Sequence, residues 1–368
     1  MPPNTSMATE LSFGAPSVGD KNANGGGVRR VPPSLPQQRK ETIWLKVLVA
    51  GESGQGKTTW LNNNFRDLNG GENPMGQAAT VVQEAGRGVF GNGKTLRIEE
   101  RTFDYKFEGQ EFKISLVDTP GYGDHVNTSR SFQPVEDYIV NGNKRYLAEV
   151  LGGNDTPEED GRTDVCIYFI AAHRCKEIDI KYMKQLCKVV TVIPVIGKSD
   201  CMTVDEMKDF KAAIVDLAVR DNGLDFFQFS ETSWTACKNK VLGPGNTPNW
   251  VGEKQPPPYA VISSKVDESG VPARRYMWGT CGVMEPKNSD NAYLKCLLLE
   301  VGFQDIKDKM IERHKAFVRE QGRPIIEKVG DYIEKAGDYV KARRMSALAL
   351  AMAALFALLA VVLTQMGL

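Results

Sequence analysis

The residues with the clearest chemistry lie in a glycine-rich loop, GESGQGKTT, at positions 51–59. The loop fits the pattern G-x-x-x-x-G-K-[ST]. In this pattern the glycines let backbone N–H groups turn inward onto phosphates, the lysine reaches the β- and γ-oxygens, and the following hydroxyl ligates Mg²⁺. The sequence therefore predicts a site for a nucleotide phosphate and Mg²⁺, built from Gly51, Ser53, Gly54, Gly56, Lys57, Thr58 and Thr59.

A second motif, DTPG, follows the apolar run FKISLV at positions 112–117. A carboxylate at the end of such a strand can hold the Mg²⁺ shell, and the glycine N–H can sense the γ-phosphate, as in nucleotide switches. We therefore predict that Asp118 and Thr58 hold the metal and that Gly121 contacts the γ-phosphate.

A third motif, Lys198-Ser199-Asp200, follows the apolar run VVTVIPVIG at the position where GTPases carry [NT]-K-x-D. A carboxylate there accepts hydrogen bonds from guanine N1 and N2, which adenine does not present in that way, and the lysine stem packs on the base. Alone, such a motif would usually cap a helix. Because it comes after a phosphate loop and a DTPG turn, each following an apolar strand, it predicts that Lys198 and Asp200 recognise guanine.

The elements around these motifs indicate the fold. Positions 43–50 are rich in β-branched and large apolar residues, as expected for a buried parallel strand, and KTTWLNNNFRDL can continue as a helix. The phosphate loop then faces the N-terminus of that helix, where anions bind. We predict an α/β P-loop NTPase fold of the Ras-like GTPase type, with a mainly parallel sheet flanked by helices, at residues 41–322.

Composition excludes several classes of function. Lys plus Arg and Asp plus Glu both number 46 in the 368 residues, and no aromatic-studded basic stripe occurs, so no nucleic-acid partner is expected. The seven cysteines are scattered and never form a C-x-x-C pair, which disfavours a disulfide framework and a zinc site and indicates a reducing compartment.

The two ends of the chain differ from its middle. Residues 1–40 are rich in Pro, Gly, Ser and Asn and predict a disordered arm, without the apolar core of a secretory signal. Residues 346–368 carry no charge and follow Lys341, Arg343 and Arg344. A helix of about 20 apolar residues spans roughly 30 Å of hydrocarbon. We predict a single-pass transmembrane tail anchor that leaves the rest of the chain on the cytosolic face of a membrane; the alternative is a buried core helix.

Residues 323–345 lie between the predicted domain at 41–322 and the uncharged segment at 346–368. Their apolar positions are spaced alternately three and four apart, which is the pattern of a coiled-coil seam. These positions are Ile326, Val329, Ile333, Ala336 and Val340. The pattern covers only about two heptads, and Gly330 and Gly337 each weaken a helix by up to about 1 kcal/mol. A short coiled-coil stalk and a membrane-proximal amphipathic helix therefore both remain open.

Five segments, in this order and at comparable separations, resemble a septin GTPase from about Leu45 to about Glu300. The most specific segment is RRYMWGTCGVMEP, because septins carry a closely similar R-x-Y-P-W-G in which Met277 here replaces the proline. The family's A-K-A-D corresponds to G-K-S-D in this chain. The other four segments are GESGQGKTT, DTPGYGDHVNTSRSFQPVEDYI, CIYFIAA and VVTVIPVIGKSD.

The resemblance implies roles for further residues. Arg274 matches the septin arginine that packs on guanine, and Trp278 and Gly279 match the family signature. Thr95 falls on the threonine that positions the attacking water; the alternative is a hydroxyl at a strand edge. Tyr122 stands where Ras-like proteins keep a water-orienting glutamine, so we expect slow turnover.

The segment AAHRCKEID replaces a longer loop that in septins crosses to the neighbouring subunit. We therefore predict that Arg174 acts on the γ-phosphate of a partner subunit and that it joins Lys57 and Thr95 as a catalytic residue. The alternative is that Arg174 is a solvated charge or pairs with Glu177 or Asp179.

The resemblance implies a protein that binds GTP or GDP with Mg²⁺, hydrolyses GTP slowly, and assembles with itself or other septin-like subunits on a membrane as a cytoskeletal scaffold. Two alternatives remain. One is a tail-anchored paraseptin-type GTPase that dimerises for import or signalling without forming filaments. The other is a scaffold that holds its nucleotide without hydrolysing it.

Overall fold

The computed structural model describes residues 42–76, 97–107, 109–123, 132–152, 159–243, 257–266 and 270–320. Within these ranges no helix is both long and apolar enough to cross a membrane. The predicted disordered arm at 1–40, the stalk or amphipathic helix at 323–345, the transmembrane tail at 346–368 and the catalytic candidate Thr95 all lie outside the described residues.

Six strands form one sheet, in the order β2-β3-β1-β4-β5-β6. Five of them run parallel to one another, and β2 pairs antiparallel with β3 at one edge. The predicted mainly parallel sheet is therefore confirmed. The strands are β1 Ile43–Gly51, β2 Glu99–Phe107, β3 Gln110–Asp118, β4 Val165–Ala171, β5 Thr191–Gly197 and β6 Tyr259–Ala260.

Helices cover both faces of the sheet. Two of them continue into a single π-helical turn, at Asp216–Arg220 after α4 and at Leu297–Val301 after α6. The helices are α1 Lys57–Asn64, α2 Gln133–Leu151, α3 Glu177–Val189, α4 Val204–Val215, α5 Glu231–Leu242, α6 Asn291–Cys296 and α7 at residues 303–320.

Helix α1 is shorter than the sequence suggested, because it ends at Asn64 and a short 3₁₀ turn, Arg66–Asn69, follows. Three consecutive asparagines, which are weak helix formers, precede the stop. The Asn62 amide donates to the carbonyl oxygen of Gly76 at 2.8 Å, and the Asn63 amide donates to that of Ser264 at 2.9 Å. These bonds attach the last turn of α1 to two distant segments of the chain.

The core has two layers, one on each face of the sheet. Alternate residues of β1 point into different layers: Val47 and Val49 pack with Trp60 on one face, whereas Leu48 and Ala50 pack on the other. All of these side chains are buried. Burial on both faces is why β1, β4 and β5 read in the sequence as unbroken apolar runs.

A separate hairpin stands outside the main sheet. It consists of β7, Ala273–Tyr276, and β8, Gly279–Gly282, which pair antiparallel. Met277 and Trp278 form its two-residue tip and are 100% and 84% exposed. The Trp278 ring stacks on the Tyr276 ring, with their centroids 5.1 Å apart.

The three sequence motifs follow the carboxyl ends of three strands, which lie on the same side of the sheet. Strands β1, β3 and β5 end at Gly51, Asp118 and Gly197, and all three run in the same direction. In open parallel sheets, ligands bind in the crevice beyond the carboxyl ends of the strands. The fold therefore brings the predicted phosphate, metal and base residues to one side of the molecule.

Candidate nucleotide-binding site

The phosphate loop has a shape that only glycine can adopt at its two ends. Gly51 has φ +132°, and a Cβ atom there would lie 2.4 Å from the carbonyl oxygen of Phe169. Gly56 has φ +89°, and a Cβ atom would lie 2.5 Å from Ser263 Oγ. Gly54, at the exposed top of the loop, also has a positive φ of +76°. These conformations suit a loop whose N–H groups converge on an anion at the start of α1.

Lys57 is the first residue of α1 and is buried. Its Nζ donates to the carbonyl oxygens of Gly51 at 3.2 Å and Glu52 at 2.9 Å. These bonds hold the ammonium group across the loop that precedes it. The positive charge therefore lies at the phosphate loop itself.

Two oxygen ligands suited to a divalent cation lie together beside the loop. Thr58 Oγ1, in the first turn of α1, donates to Asp118 Oδ2 at the end of β3, at 2.5 Å. The Asp118 carboxylate is 2% exposed. A hydroxyl and a carboxylate are hard oxygen donors of the kind that Mg²⁺ prefers, and Mg²⁺ takes only one or two such protein ligands beside phosphates. The residues present therefore fit the predicted metal.

The DTPG turn packs directly against the phosphate loop. A Cβ atom on Gly121 would lie 2.4 Å from Ser53 Cα, so only glycine allows this approach. Ser53 N donates to the carbonyl oxygen of Tyr122 at 3.0 Å, and Tyr122 N donates to that of Gly51 at 3.3 Å. The two loops are thus joined through their backbones, which places Gly121 where the sequence predicted a phosphate contact.

The Tyr122 side chain is buried, although its backbone borders the phosphate loop. Its hydroxyl donates to Asp179 in the first turn of α3, and the Tyr168 hydroxyl donates to the same carboxylate oxygen at 2.8 Å. Burial, and then the bond to Asp179, raise the pKa of Tyr122 far above its ordinary value. This side chain is a neutral phenol committed to the interior, and it cannot orient water as a glutamine would.

Arg174 pairs with the phosphate loop of its own chain. Its Nη2 lies 2.8 Å from Glu52 Oε2, and Lys176 Nζ lies 2.5 Å from Glu52 Oε1. The pairing with Glu177 or Asp179 considered from the sequence is wrong, because Glu177 pairs with Lys181 and Asp179 accepts the two phenols. The sequence offered no sign of the Glu52 contact.

The two cations lower the pKa of the Glu52 carboxyl. Burial alone would raise its pKa, but the hydrogen bond and charge of Lys176, and then those of Arg174, hold the pKa below its ordinary value. Glu52 therefore remains a carboxylate at neutral pH and keeps both cations beside the loop.

The same segment after β4 also contacts the motif that is predicted to recognise the base. His173 has a left-handed backbone with φ +61°. Its Nε2 lies 3.2 Å from the carbonyl oxygen of Cys201, one residue beyond Asp200. Residues 173–176 thus connect the phosphate loop to the end of the site predicted to hold the base.

The base-recognition motif begins directly after β5. Lys198 has φ +55°, a tight left-handed turn, and Ser199 N donates to the carbonyl oxygen of Val261 at 3.2 Å. A Cβ atom on Gly197 would lie 3.1 Å from the carbonyl oxygen of Gln55, so this turn abuts the phosphate loop.

Strand β7 reaches the Asp200 carboxylate, whose side chain is 3% exposed. Arg274 Nη1 lies 2.8 Å from Oδ1 and 2.7 Å from Oδ2, and the Tyr276 hydroxyl donates to Oδ2. Arg274, predicted to pack on guanine, therefore contacts the residue predicted to recognise it. Sequence reasoning missed Tyr276, although the R-x-Y spacing on a strand puts both side chains on one face.

A cavity of about 330 Å³ opens beside Asp200, between the N-terminus of α4 and the β7–β8 hairpin. Its walls include Asp200, Met202, Thr203, Tyr276, Trp278 and Cys281. Small-molecule sites begin at about 300 Å³, so the cavity is large enough to contribute to one.

A phosphate loop follows β1, the predicted metal carboxylate follows β3 and the predicted base-recognition carboxylate follows β5. This order is typical of a P-loop nucleotide-binding protein. A model of the septin family matches residues 41–322. The chain therefore belongs to the septin family.

Individual relatives agree with this assignment. The chain is 31% identical over 279 residues to human Septin-9, covering 73% of this chain and 44% of that protein. It is 30% identical over 289 residues to rat Septin-4, covering 77% of this chain and 59% of that protein. The chain thus spans about half the length of these relatives.

A solved structure has the same fold. The crystal structure of the septin GTPase domain from Chlamydomonas reinhardtii superimposes with a TM-score of 0.58 and 25% sequence identity. The match covers 76% of this chain and 99% of that chain.

Proposed function

We propose that this septin-family chain binds guanine nucleotides with Mg²⁺ and hydrolyses GTP slowly to GDP and phosphate. The observation that carries the proposal is the position of Asp200 at the same sheet edge as the phosphate loop, one turn beyond β5. A nearly buried carboxylate there can accept both guanine donors, whereas adenine offers no matching pair.

The roles within the site follow from the contacts. Lys57 binds the phosphates from within the loop, with the N–H groups of Ser53, Gly54 and Thr59 around them. Thr58 and Asp118 would hold Mg²⁺, which neutralises negative charge on the phosphates during transfer. Lys198 and Arg274 lie on the same side as Asp200 and are assigned to the faces of the base.

Slow hydrolysis is supported by the Tyr122 side chain. Phosphoryl transfer depends on positioning and on charge stabilisation, and Ras-like proteins use a glutamine at this place to orient water. Here the side chain is buried and bonded to Asp179. Thr95, outside the described residues, is the group that we propose positions the water.

Arg174 is proposed to supply charge to the γ-phosphate of a partner subunit. Its side chain is 56% exposed, which leaves it accessible to a second chain, and Glu52 holds it next to the phosphate loop. An arginine supplied in this way accelerates hydrolysis by about 10³ to 10⁵ in other GTPases.

Base recognition is tested by Asp200→Asn. We expect at least about a hundredfold weaker GTP binding, because an amide cannot accept both guanine donors. Xanthosine triphosphate, which carries an oxygen in place of the N2 amino group, should still bind. Asp205→Asn is the matched control, since Asp205 is an exposed acid in the next helix with its side chain 95% exposed. Unchanged GTP affinity in Asp200→Asn rejects the proposal.

A scaffold that holds nucleotide without turnover is the second candidate, and the buried Tyr122 is the observation that favours it. Single-turnover measurement with bound GTP separates the two. Release of phosphate from the wild-type chain, abolished in Lys57→Ala, supports an enzyme, whereas GTP that stays intact for days supports the scaffold.

Assembly with copies of itself or with other septin-like subunits is also proposed. The exposed Met277 and Trp278 at the hairpin tip support it, because large apolar side chains that project together into water commonly mark interaction surfaces. Electron microscopy with GTP distinguishes filaments from a paraseptin-type switch, which would stop at dimers.

Membrane attachment is proposed through residues 346–368, which are uncharged and follow a basic cluster. This would place the GTP-binding domain on the cytosolic face of a membrane. The full chain should resist carbonate extraction, and truncation before Ser346 should release it. Extraction of the full chain at high pH would contradict this assignment.

A further inference from the structure

Residues 261–264, directly after β6, contact both the phosphate loop and the predicted base-recognition motif. The Val261 carbonyl oxygen accepts from Ser199 N of that motif at 3.2 Å. Two residues later, Ser263 abuts the phosphate loop, where a Cβ atom added to Gly56 would lie 2.5 Å from Ser263 Oγ. A nucleotide that extends from the phosphate loop to the base-recognition motif would therefore pass along this segment.

Asn63, in the last turn of α1, pairs with both backbone groups of Ser264. Its Nδ2 donates to the Ser264 carbonyl oxygen at 2.9 Å, and Ser264 N donates to Asn63 Oδ1 at 2.9 Å. Two such bonds fix one residue as the exchange of bonds between neighbouring strands does. The Ser264 hydroxyl in turn donates to the carbonyl oxygen of Ala273, the first residue of β7, at 2.7 Å. Ser264 therefore joins α1 to the hairpin.

A second anchor from α1 holds the same segment two residues earlier. Trp60 Nε1 donates to Asn291 Oδ1 at 2.8 Å, and Asn291 Nδ2 donates to the carbonyl oxygen of Ile262 at 2.6 Å. Ser263 lies between Ile262 and Ser264. Its position against the phosphate loop is therefore fixed from both sides.

The neighbouring asparagine, Asn62, makes the same kind of clamp to another part of the chain. Met75 N donates to Asn62 Oδ1 at 2.8 Å, and Asn62 Nδ2 donates to the carbonyl oxygen of Gly76 at 2.8 Å. This part of the chain also bonds to β2, because Arg101 Nη1 donates to the carbonyl oxygen of Pro74 at 3.2 Å. Since β2 and β6 are the two edge strands of the sheet, adjacent asparagines of α1 hold segments at opposite sides of it.

We propose that Asn63 is a positioning residue for nucleotide binding, whose amide holds residues 261–264 in place between the phosphate loop and the predicted base-recognition motif. The inference rests on the proposed function, in which this site binds a guanine nucleotide. A segment that must be ordered when a ligand binds subtracts its ordering cost from the affinity. With Asn63 in place, the wall of the site is ordered before the nucleotide arrives.

Asn63→Ala and Asn62→Ala in the full chain test the proposal as a matched pair, because each removes one two-bond clamp from a buried side chain of α1. Affinity for GDP is measured by titration calorimetry with Mg²⁺ present. We expect GDP to bind about tenfold more weakly to Asn63→Ala and to change by less than about twofold for Asn62→Ala. The urea midpoints of the two variants without nucleotide should fall by similar amounts, so that a general loss of stability cannot explain the difference in affinity.

A second pair, Asn63→Asp and Asn62→Asp, decides the question if an alanine variant does not fold. Aspartate has nearly the same size and keeps an acceptor for the Ser264 N–H, but a carboxylate cannot donate to the Ser264 carbonyl oxygen. Both changes add the same charge to the same turn of α1, so repulsion of the phosphates is shared. We expect Asn63→Asp to bind GDP about fivefold more weakly than Asn62→Asp.

Two results would overturn the inference. Equal weakening of GDP binding within a pair would mean that Asn63 only supports α1, and wild-type affinity in Asn63→Ala would mean that the clamp does not position the segment. If the wild type binds GDP while either result holds, only this inference fails. If the wild type does not bind GDP, the proposed function fails with it.

Discussion

The phosphate end and the base end of the site are built from different kinds of contact. At the phosphate end, glycine conformations and backbone hydrogen bonds set the shape, and Lys57 bonds to residues five and six positions before it. At the base end, Asp200 is held by two side chains from β7, 74 and 76 positions away. A backbone loop can be recognised from a short motif, whereas a side-chain cluster becomes visible only in the fold.

The two ends also differ in how complete they are within one chain. The base end holds its carboxylate with Arg274 and Tyr276 of the same chain. The phosphate end has Tyr122 buried where Ras-like proteins place a glutamine, and its Arg174 is more than half exposed. This difference predicts that catalysis depends on a partner subunit and that base recognition does not.

The largest expected effect tests that difference directly. Hydrolysis per wild-type subunit should rise with protein concentration as dimers form. Arg174→Ala should flatten the rise, with a loss of up to about 10³ in rate at saturating GTP and unchanged GTP affinity. Phosphate release measured across a range of protein concentrations provides the test.

Arg220→Ala is the control, because Arg220 is an exposed arginine paired with Asp216 beyond α4. It should leave the concentration dependence intact. Turnover that does not depend on concentration, or a confirmed dimer in which Arg174→Ala changes nothing, would leave Thr95 and the metal site as the remaining catalytic groups.

The next effect tests how strictly the phosphate end depends on backbone shape. Gly56→Ala should lower the free energy of unfolding by about 3 kcal/mol, because left-handed backbone costs about 1–2 kcal/mol and the new Cβ would also clash with Ser263 Oγ. Gly54→Ala should cost only about 1 kcal/mol, since nothing lies within 4 Å of the added atom. Urea unfolding measures both.

The double variant Gly56→Ala, Ser263→Ala separates the clash from the backbone strain. It should be about 1 kcal/mol more stable than the sum of the single changes predicts. Equal destabilisation by Gly54→Ala and Gly56→Ala would show that the close approach to Ser263 contributes nothing.

The smallest effect concerns Glu52, which joins the phosphate loop to Arg174 and Lys176. Because its pKa is lower in the folded chain than its ordinary value of 4.5, its stabilisation is present above that pH. It is lost as the pH falls through the folded-state pKa. Glu52→Gln should therefore reduce the free energy of unfolding by up to about 1 kcal/mol at neutral pH, with the difference vanishing in acid.

Urea midpoints of the wild type and Glu52→Gln between neutral and acidic pH provide the measurement. Glu177→Gln, which removes an exposed partner of Lys181, should show a smaller difference across the same range. A difference for Glu52→Gln that does not change with pH would contradict the assigned ion pairs.

The sequence predicted those features of the fold and site that short local patterns determine. Each motif directly follows an apolar strand, which is how Lys57, Asp118 and Asp200 were identified as candidates for a nucleotide site, and the fold confirms the mainly parallel sheet. Contacts between distant segments were not predictable. Glu52 and Arg174 are 122 positions apart, and nothing in either segment indicates the other. The length of α1 was also misjudged: the helix ends after three weak helix formers, Asn62, Asn63 and Asn64.

Both edge strands of the sheet, β2 and β6, have features that hinder pairing with strands of other molecules. Strand β2 carries exposed charges of both signs, Glu100, Arg101, Asp104 and Lys106. Strand β6 is two residues long and follows three prolines in the sequence. Charged, short and proline-flanked edges resist pairing with strands from other molecules. A polymer of these chains would therefore join through loops, helices and the hairpin, and each subunit could leave it without unravelling a shared sheet. In such a polymer, reversible growth would be distinct from amyloid formation.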